Sequence, residues 1–437
     1  MGKKTLMNRK LKIVWLCHFS NQAVRSRLDL RPRKDNQPYV DFAPWISNLL
    51  GEFEKLPDLE LHIISPHAGL KGLSRSFTQN GVHYNFYRPE ESFLLSRIQM
   101  RLAGRTHPWY IFTRFHIRQI IRRIAPDIVN LFGTENPHYS VAALDIRRIP
   151  VYVAAQTVYT NPERNRISGH CDSYRWNLEL KLHRHCLYYG CGSRMHRDLI
   201  IANNPQAIIL KMFFPITKPS LLPNIEKDCD FVFFAAGVSK KKGIEDALEA
   251  LAIVKQSHPQ VSLNVVGSCS NDYHNYLLRR VNELNIKENL KFNGYFPLHS
   301  DMLAQVQKSR FALLPVKLDA IPSTIIEAIH LRLPVVTYKT TGTPYLNRKG
   351  DAILIAPMNN VAELANCMLR LLEEPSLGSN LAARALDLVE NEFDNFRIAE
   401  SFVANYQAVI GHFTSGTPVK AELLFNPEEF PEYKESV

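Results

Sequence analysis

The stretch RFALLPVKLDAIPSTIIEAIHLRLPVV, residues 310–336, contains a complete strand–loop–helix–strand unit. RFALLPV is a short apolar run of strand length. KLDAIPS carries the turn formers. STIIEAIHLR has its apolar positions at helical spacing, and PVV opens a second β-branched run. Ser323 is expected to cap the helix, with Pro322 tolerated at its margin. A strand that returns to its sheet through a helix gives a parallel pair, so the unit predicts a parallel sheet with helices on its faces.

The same alternation runs outward in both directions. In the first half the predicted strands are LKIVWLC, LELHIISP, GVHYNFYR, DIVNLF, PVYVAAQ, LYYGCG and AIILKMFFP; in the second half they are DFVFFAAG, VSLNVVG, NLKFNGYF, RFALLPV, PVVTYK and AILIA. Between the sets lies PITKPSLLPNIEKDC, rich in proline and without periodicity. With 437 residues, 45% of them hydrophobic, the chain is long enough for two cores. The predicted fold class is α/β, two doubly wound Rossmann-like domains facing a cleft. The expected division is 1–215, a linker 216–229, a second domain 230–392, and a C-terminal helix and tail 393–437 that frays after Thr414. Loops of both halves should build the site, because ligands bind beyond the carboxyl ends of strands in such sheets.

Composition excludes several classes. No apolar stretch approaches the ~20 residues of a spanning helix, and the basic start MGKKTLMNRKLKIVWLC lacks a signal-peptide core, so a cytoplasmic location is expected. Seven scattered cysteines do not form a disulfide framework. His183, His185, Cys186, Cys191 and His196 could gather round zinc, but a helix end, a short strand and a helix opened by Ser193 would scatter them, so no metal site is expected. The net charge is +11, and from Phe93 to Ala125 the chain carries Arg97, Arg101, Arg105, Arg114, Arg118, Arg122 and Arg123, interleaved with apolar residues and without an acid. That composition suits a helix on an anionic membrane surface; a nucleic acid would be attracted too, and a solvated face whose arginine stems cover a core is the plain alternative.

Two segments could carry chemistry. In FFAAGVSKKKGIEDALEALAIV, residues 233–254, a strand ends in small residues, and Lys240, Lys241, Lys242 and Gly243 precede a helix with one apolar face. Backbone N–H groups and ammonium charges beside a helix N-terminus suit a diphosphate, and a solvated turn is the alternative. In 310–336, Asp319 falls in the loop and Glu327 one turn into the helix, with the amides of Ala320 to Thr324 exposed beside the strand end. Two carboxylates and free N–H groups can hold the hydroxyls of a sugar and a ribose; a surface turn and a solvated helix position are the alternative.

Taken in order, AGVSKKKGIEDALEAL, DAIPSTIIEAIHLRLPVV, TTGTPYLN and KGDAILIAPMNNVAELANCMLRLLEEP resemble the retaining, GT-B-fold family-4 glycosyltransferases, the glycosyl transferases of group 1. The likeness covers the second half of the chain. It implies that Lys242 binds the diphosphate of a nucleotide-sugar donor, helped by Lys240 or Lys241 in the turn bounded by Gly237 and Gly243. It places Asp319 and the loop of Ile321, Pro322 and Ser323 on the donor sugar, Glu327 on the nucleotide ribose, and Tyr295 and Phe296 beside the base. Two core aromatics at a strand end are the plain reading of that last pair. In the looser first half, Glu135, Asn136 and His138, with His18 after the first strand, are the acceptor-side candidates. The sequence departs from the pattern at Gly237, where a diphosphate-binding arginine is expected, and at Asp319, which replaces a longer glutamate. It departs again at Arg332 in place of a glycine, at Tyr345 in place of an acid, and at Phe132 in place of a histidine.

The implied reaction moves a sugar from a nucleotide-sugar to a glycan or lipid-linked acceptor, as in cell-surface polysaccharide or lipopolysaccharide assembly. It needs no cofactor or metal, since ammonium and amide donors stabilise the departing diphosphate. The pair Asp228 and Asp230, which could suggest a metal-dependent transferase, sits just before a strand in the linker. Peripheral membrane contact through 93–125 is expected and nucleic acid is not. An epimerase or hydrolase on the same fold, a surface-binding protein driven by charge, and a degenerate transferase that binds without catalysis are the competing readings.

Overall fold

The computed structural model describes residues 9–33, 39, 41–169, 171–223, 225–318 and 320–430. The first sheet contains β1 (Leu11–Leu16), β2 (Leu59–Pro66), β3 (Ser74–Gln79), β4 (Val82–Tyr87), β5 (Ile128–Phe132), β6 (Val151–Ala154), β7 (Tyr188–Cys191) and β8 (Ile208–Lys211), in the order β3-β4-β2-β1-β5-β6-β7-β8. The second contains β9 (Cys229–Gly237), β10 (Leu263–Ser268), β11 (Leu290–Gly294), β12 (Ser309–Leu314), β13 (Val335–Tyr338) and β14 (Leu354–Ala356), in the order β11-β10-β9-β12-β13-β14. All pairings are parallel except β3 with β4.

Burial on both faces explains the near-continuous apolar strands. Every residue of β5, β6 and β7 is buried. The strand missing from the sequence reading is β3, SRSFTQ, which forms the antiparallel edge of the first sheet and is mostly exposed. A polar edge strand needs no apolar run, so periodicity does not reveal it.

Each sheet reverses its winding direction once. From β1 the chain builds β2 on one side and returns to place β5 on the other; from β9 it builds β10 on one side and later places β12 on the other. A crevice opens at such a reversal, because the loops leaving the two adjacent strands diverge to opposite faces. His18 follows β1 and His138 follows β5. In the second sheet the three lysines follow β9 and the 315–323 loop follows β12. The acceptor-side and donor-side candidates thus occupy equivalent places in the two sheets.

The C-terminal helix Asn395–Ser415 leaves the second sheet and packs on the first. Its Phe402 and Tyr406 rings meet Phe132 and Tyr152, and Trp15 Nε1 donates to Tyr406 Oη at 3.2 Å. The expected fraying after Thr414 is corrected by residues 421–430. Phe425 N bonds Ile209 O at 2.9 Å, and Lys211 pairs with Glu429 at 2.6 Å. Phe425 and Phe430 stack 4.2 Å apart, and Phe430 also stacks on Tyr345 at 4.5 Å. Two aromatic side chains in a short polar tail are enough to dock it, since each buries a large apolar area. With Phe213 and Phe393 they form one cluster joining the end of β8 to the loop after β13.

Truncating a fully buried aromatic costs about 3–5 kcal/mol. Phe430→Ala is therefore expected to lower the stability by about 3 kcal/mol in urea unfolding, although Phe430 lies only seven residues before Val437; a change below about 0.5 kcal/mol would show that the tail does not hold the domains.

Candidate active site

The lysine loop owes its shape to Gly243. Lys240–Lys242 form one 3-10 turn, closed by Lys242 N to Ser239 O at 2.9 Å, and Gly243 then takes φ +83 to start the helix Ile244–Val254. A Cβ at Gly243 would lie 1.9 Å from Pro315 O, so the turn passes against the end of β12 with no room for a side chain. Lys317 N bonds Lys241 O at 3.0 Å and joins the two loops directly. Beneath them, Asp246 pairs with Lys317 Nζ at 2.6 Å and accepts from Tyr338 Oη at 2.7 Å.

The second loop departs from expectation in its cap. The helix runs Ser323–His330, so Ser323 is its first residue; Pro322 holds the N-cap position and no side chain caps the terminus. The terminal amides are left for another partner. Thr340 Oγ1 donates to Ala320 O at 2.6 Å, and a Cβ on Gly342 would come within 2.8 Å of Ala320, so the TTGT loop supports the 320 segment from behind. Asp319 lies outside the described residues. Arg332 has φ +58, a conformation that favours glycine, which accounts for the glycine that the resemblance places there.

These loops face the first domain across the cleft. A cavity of about 450 Å³ is lined by Lys241, Lys242 and Lys317 on one side and by Arg164, Gln156 and His196 on the other. A neighbouring cavity of about 420 Å³ adds Ile321, Ser323 and Ile326 to Lys242. Lys241, Lys242 and Arg164 bring positive charge to one space, with the charge of Lys317 offset by Asp246. Arg164, Gln156, Thr157 and Lys317 carry no motif that a single sequence would reveal. Of the predicted donor residues, Lys241, Lys242, Ile321 and Ser323 share these walls. Lys240 is exposed on the turn. Gly237 is exposed too, with open space where a Cβ would go.

Glu327 is buried one turn below the wall, and its carboxylate pairs with His299 Nε2 at 3.3 Å. His299 opens the helix His299–Val306, just after Tyr295 and Phe296, so the pair ties the loop beyond β11 to Glu327. Tyr295 is exposed rather than core, and Phe296 is half-buried against the core. His299 is absent from the sequence reading because its partner comes from a distant segment.

The acceptor-side residues divide. His18 Nδ1 and His138 Nε2 are 3.3 Å apart and line a separate pocket of about 320 Å³. Burial pushes His18 down to about 4 and His138 down to about 3, so both rings are neutral at pH 7. Glu135 and Asn136 turn inward instead. Arg175 donates to Glu135 O at 2.6 Å and to Asn136 Oδ1 at 3.3 Å. Burial, with Glu179 acting in the same direction, pushes the Glu135 carboxyl up to about 7. Phe132 is buried in the aromatic core.

The histidine–cysteine group is spread among separate partners: His183 meets Asn203, His185 meets Ile146 O, and His196 lines the cleft. Asp230 is held by Ser262 and Arg310.

Two sheets, parallel but for one edge strand, that face each other across a cleft are the GT-B class of fold. Residues 223–387, 165 of the 437 residues, match the family model described as glycosyl transferases group 1, and this segment is similar to that family. The glycogen synthase of Mycobacterium tuberculosis is 22% identical over 177 residues, 40% of this chain and 42% of that protein. The amylovoran biosynthesis glycosyltransferase AmsK of Erwinia amylovora is 28% identical over 171 residues, 37% of this chain and 41% of its own. The chain thus spans less than half the length of these curated relatives. Among solved structures, the sucrose-phosphate synthase of Thermosynechococcus elongatus superposes with TM-score 0.67 at 12% identity, covering 91% of this chain and 98% of that one. Alr3699/HepE from Anabaena, in complex with UDP-glucose, gives TM-score 0.63 at 15% identity over 91% and 99%. These structural likenesses establish the fold.

The hydrogen bond to Glu327 raises the His299 pKa above its ordinary value, against an opposing effect of burial. The stability from this pair is therefore fully present below about pH 6.5, the unfolded value, and is lost as pH rises through the folded value. In an NMR titration His299 should titrate above 6.5 in the wild type and at or below it in Glu327→Gln, where burial alone remains. An unchanged titration would show that Glu327 is not its partner.

Proposed function

We propose that the chain is a retaining, metal-independent hexosyltransferase that moves a sugar from a nucleotide-sugar to a glycan or lipid-linked acceptor. Cell-surface polysaccharide or lipopolysaccharide assembly is the proposed setting. The observation that carries the reading is the cavity walled by Lys241, Lys242, Lys317 and Arg164 at the switch point of the second sheet. The family match, a neighbour crystallised with UDP-glucose, and a relative named for amylovoran biosynthesis support it.

In this reading the donor diphosphate lies against Lys242, Lys241 and the uncapped amides at Ser323. The bond from the sugar C1 to the diphosphate oxygen breaks while the acceptor oxygen bonds C1 on the same face, and the acceptor proton passes to the departing phosphate oxygen. Negative charge grows on the diphosphate as this happens, so preorganised ammonium and N–H donors lower the barrier most. Glu327 holds the ribose and Asp319 the transferred sugar, with Tyr295 and Phe296 beside the base. Peripheral contact with the inner face of the membrane completes the proposal. The second reading, a transferase-fold protein that binds without turnover, is favoured by Gly237, which supplies no charge where the resemblance expects an arginine.

A ligand that binds only the folded state stabilises it by about 2.7 kcal/mol at a hundredfold excess over Kd. Thermal unfolding against nucleoside diphosphates and nucleotide-sugars should therefore show a rise in Tm with one base class, lost in Lys242→Ala. Gly237→Arg has room for its side chain and should tighten that binding about tenfold, the effect of one charge-assisted contact. No rise with any nucleotide would overturn the donor-site assignment.

A further inference from the structure

The helix Leu94–Leu102 is amphipathic in the reverse sense. At ~100° per residue, Leu94, Leu95, Ile98 and Leu102 share one face and Ser96 and Met100 the opposite one. It is Ser96 that is buried, while Leu94, Leu95 and Leu102 are 71%, 80% and 85% exposed. The apolar face therefore points away from the protein. The next helix, Ile111–Ile124, packs its Ile117, Ile120 and Ile121 inward and leaves Ile111 and Phe115 exposed. The rings of Phe93 and Phe112, 5.2 Å apart, join the two helices.

Arginines border this patch. Arg97, Arg101, Arg105, Arg122 and Arg123 are exposed, and Arg105 lies over the exposed Trp109 ring at 5.5 Å. No acid interrupts residues 93–125. Three occupants could cover such a face. A second copy would bring the same arginines against themselves in a symmetric interface. A nucleic acid would satisfy the charge and leave the leucines in water. An anionic bilayer satisfies both, since the leucines enter the acyl boundary while guanidinium groups remain among the phosphates.

We propose that this face, Leu94, Leu95, Ile98 and Leu102 with Arg97, Arg101 and Arg105, docks the protein on an anionic phospholipid bilayer. The proposal has a consequence for the pocket of His18 and His138. Arg97 belongs both to the helix and to the wall of that pocket, as do Glu91 and Ser92 just before it. Glu91 Oε1 accepts from Tyr110 Oη at 2.6 Å, and its buried Oε2 has no hydrogen-bond partner among the described residues. Docking would set this pocket at the level of the headgroups, where a membrane-anchored acceptor could present its hydroxyls without leaving the bilayer. This last step rests on the transfer reading; the docking itself does not.

The test is co-sedimentation of the full chain with vesicles of phosphatidylcholine alone or with phosphatidylglycerol, over a range of salt. The variants are Leu94→Ser/Leu95→Ser/Ile98→Ser and Arg101→Gln/Arg105→Gln. The expected result is binding to the anionic vesicles alone, weakened at least tenfold in each variant, with unchanged Tm because the altered side chains are exposed. Absence of sedimentation at low salt, equal binding by the leucine variant, or a wild-type dimer that this variant converts to monomer would each overturn the proposal. Nucleotide binding, measured on the same preparations, separates the two readings: vesicle binding without nucleotide binding leaves docking intact and removes transfer, and the reverse removes docking alone.

Discussion

The donor-side architecture depends on one close approach, that of Gly243 to the carbonyl of Pro315, where an added Cβ would sit 1.9 Å from the oxygen. Two parallel strands that wind in opposite directions leave diverging loops, and nothing in the sheet itself holds those loops together. Here the missing side chain lets them touch, and the bond from Lys317 N to Lys241 O then fixes their register. Lys241, Lys242 and Lys317 reach one space because of that contact. Like charges so placed repel, and the buried Asp246, braced by Tyr338, offsets part of the cost beside Lys317.

The cleft also needs its two walls kept at a set distance. The chain does this by crossing back twice. Helix Asn395–Ser415 becomes a layer of the first domain, and the segment ending at Phe430 wedges aromatic rings between β8 and the loop carrying Tyr345. Tyr345 Oη donates to Glu392, which also pairs with Arg348, so polar contacts surround the aromatic cluster. Ser193 Oγ, donating to Thr341 O at 3.5 Å, spans the cleft itself.

The two crevices differ in chemistry. The cavity at the switch point of the second sheet is cationic, which suits the diphosphate of the proposed donor. The pocket of the first sheet holds imidazoles kept neutral by burial, groups suited to neutral hydroxyls. Glu135, whose pKa burial pushes up to about 7, lies deeper, under the Arg175 side chain, and belongs to the support of the loop rather than to either wall.

Much of this was legible from residues alone. Strand–loop–helix alternation gave the doubly wound sheets, because burial on both faces forces apolar runs that stand out from amphipathic helices. The lysine turn and the 310–336 unit located the donor-side loops, because strand ends, glycine and proline mark backbone geometry locally. The outward-facing leucines of 94–102 were visible only as composition. Whether an apolar stripe meets a core or water depends on where the rest of the chain lies. The same holds for the His299–Glu327 pair, for Lys317 and Arg164 on the cavity wall, for the edge strand β3 and for the docked tail. Each is decided by contacts between segments far apart in sequence, whose energies come from burial and pairing rather than from the preferences of neighbouring residues.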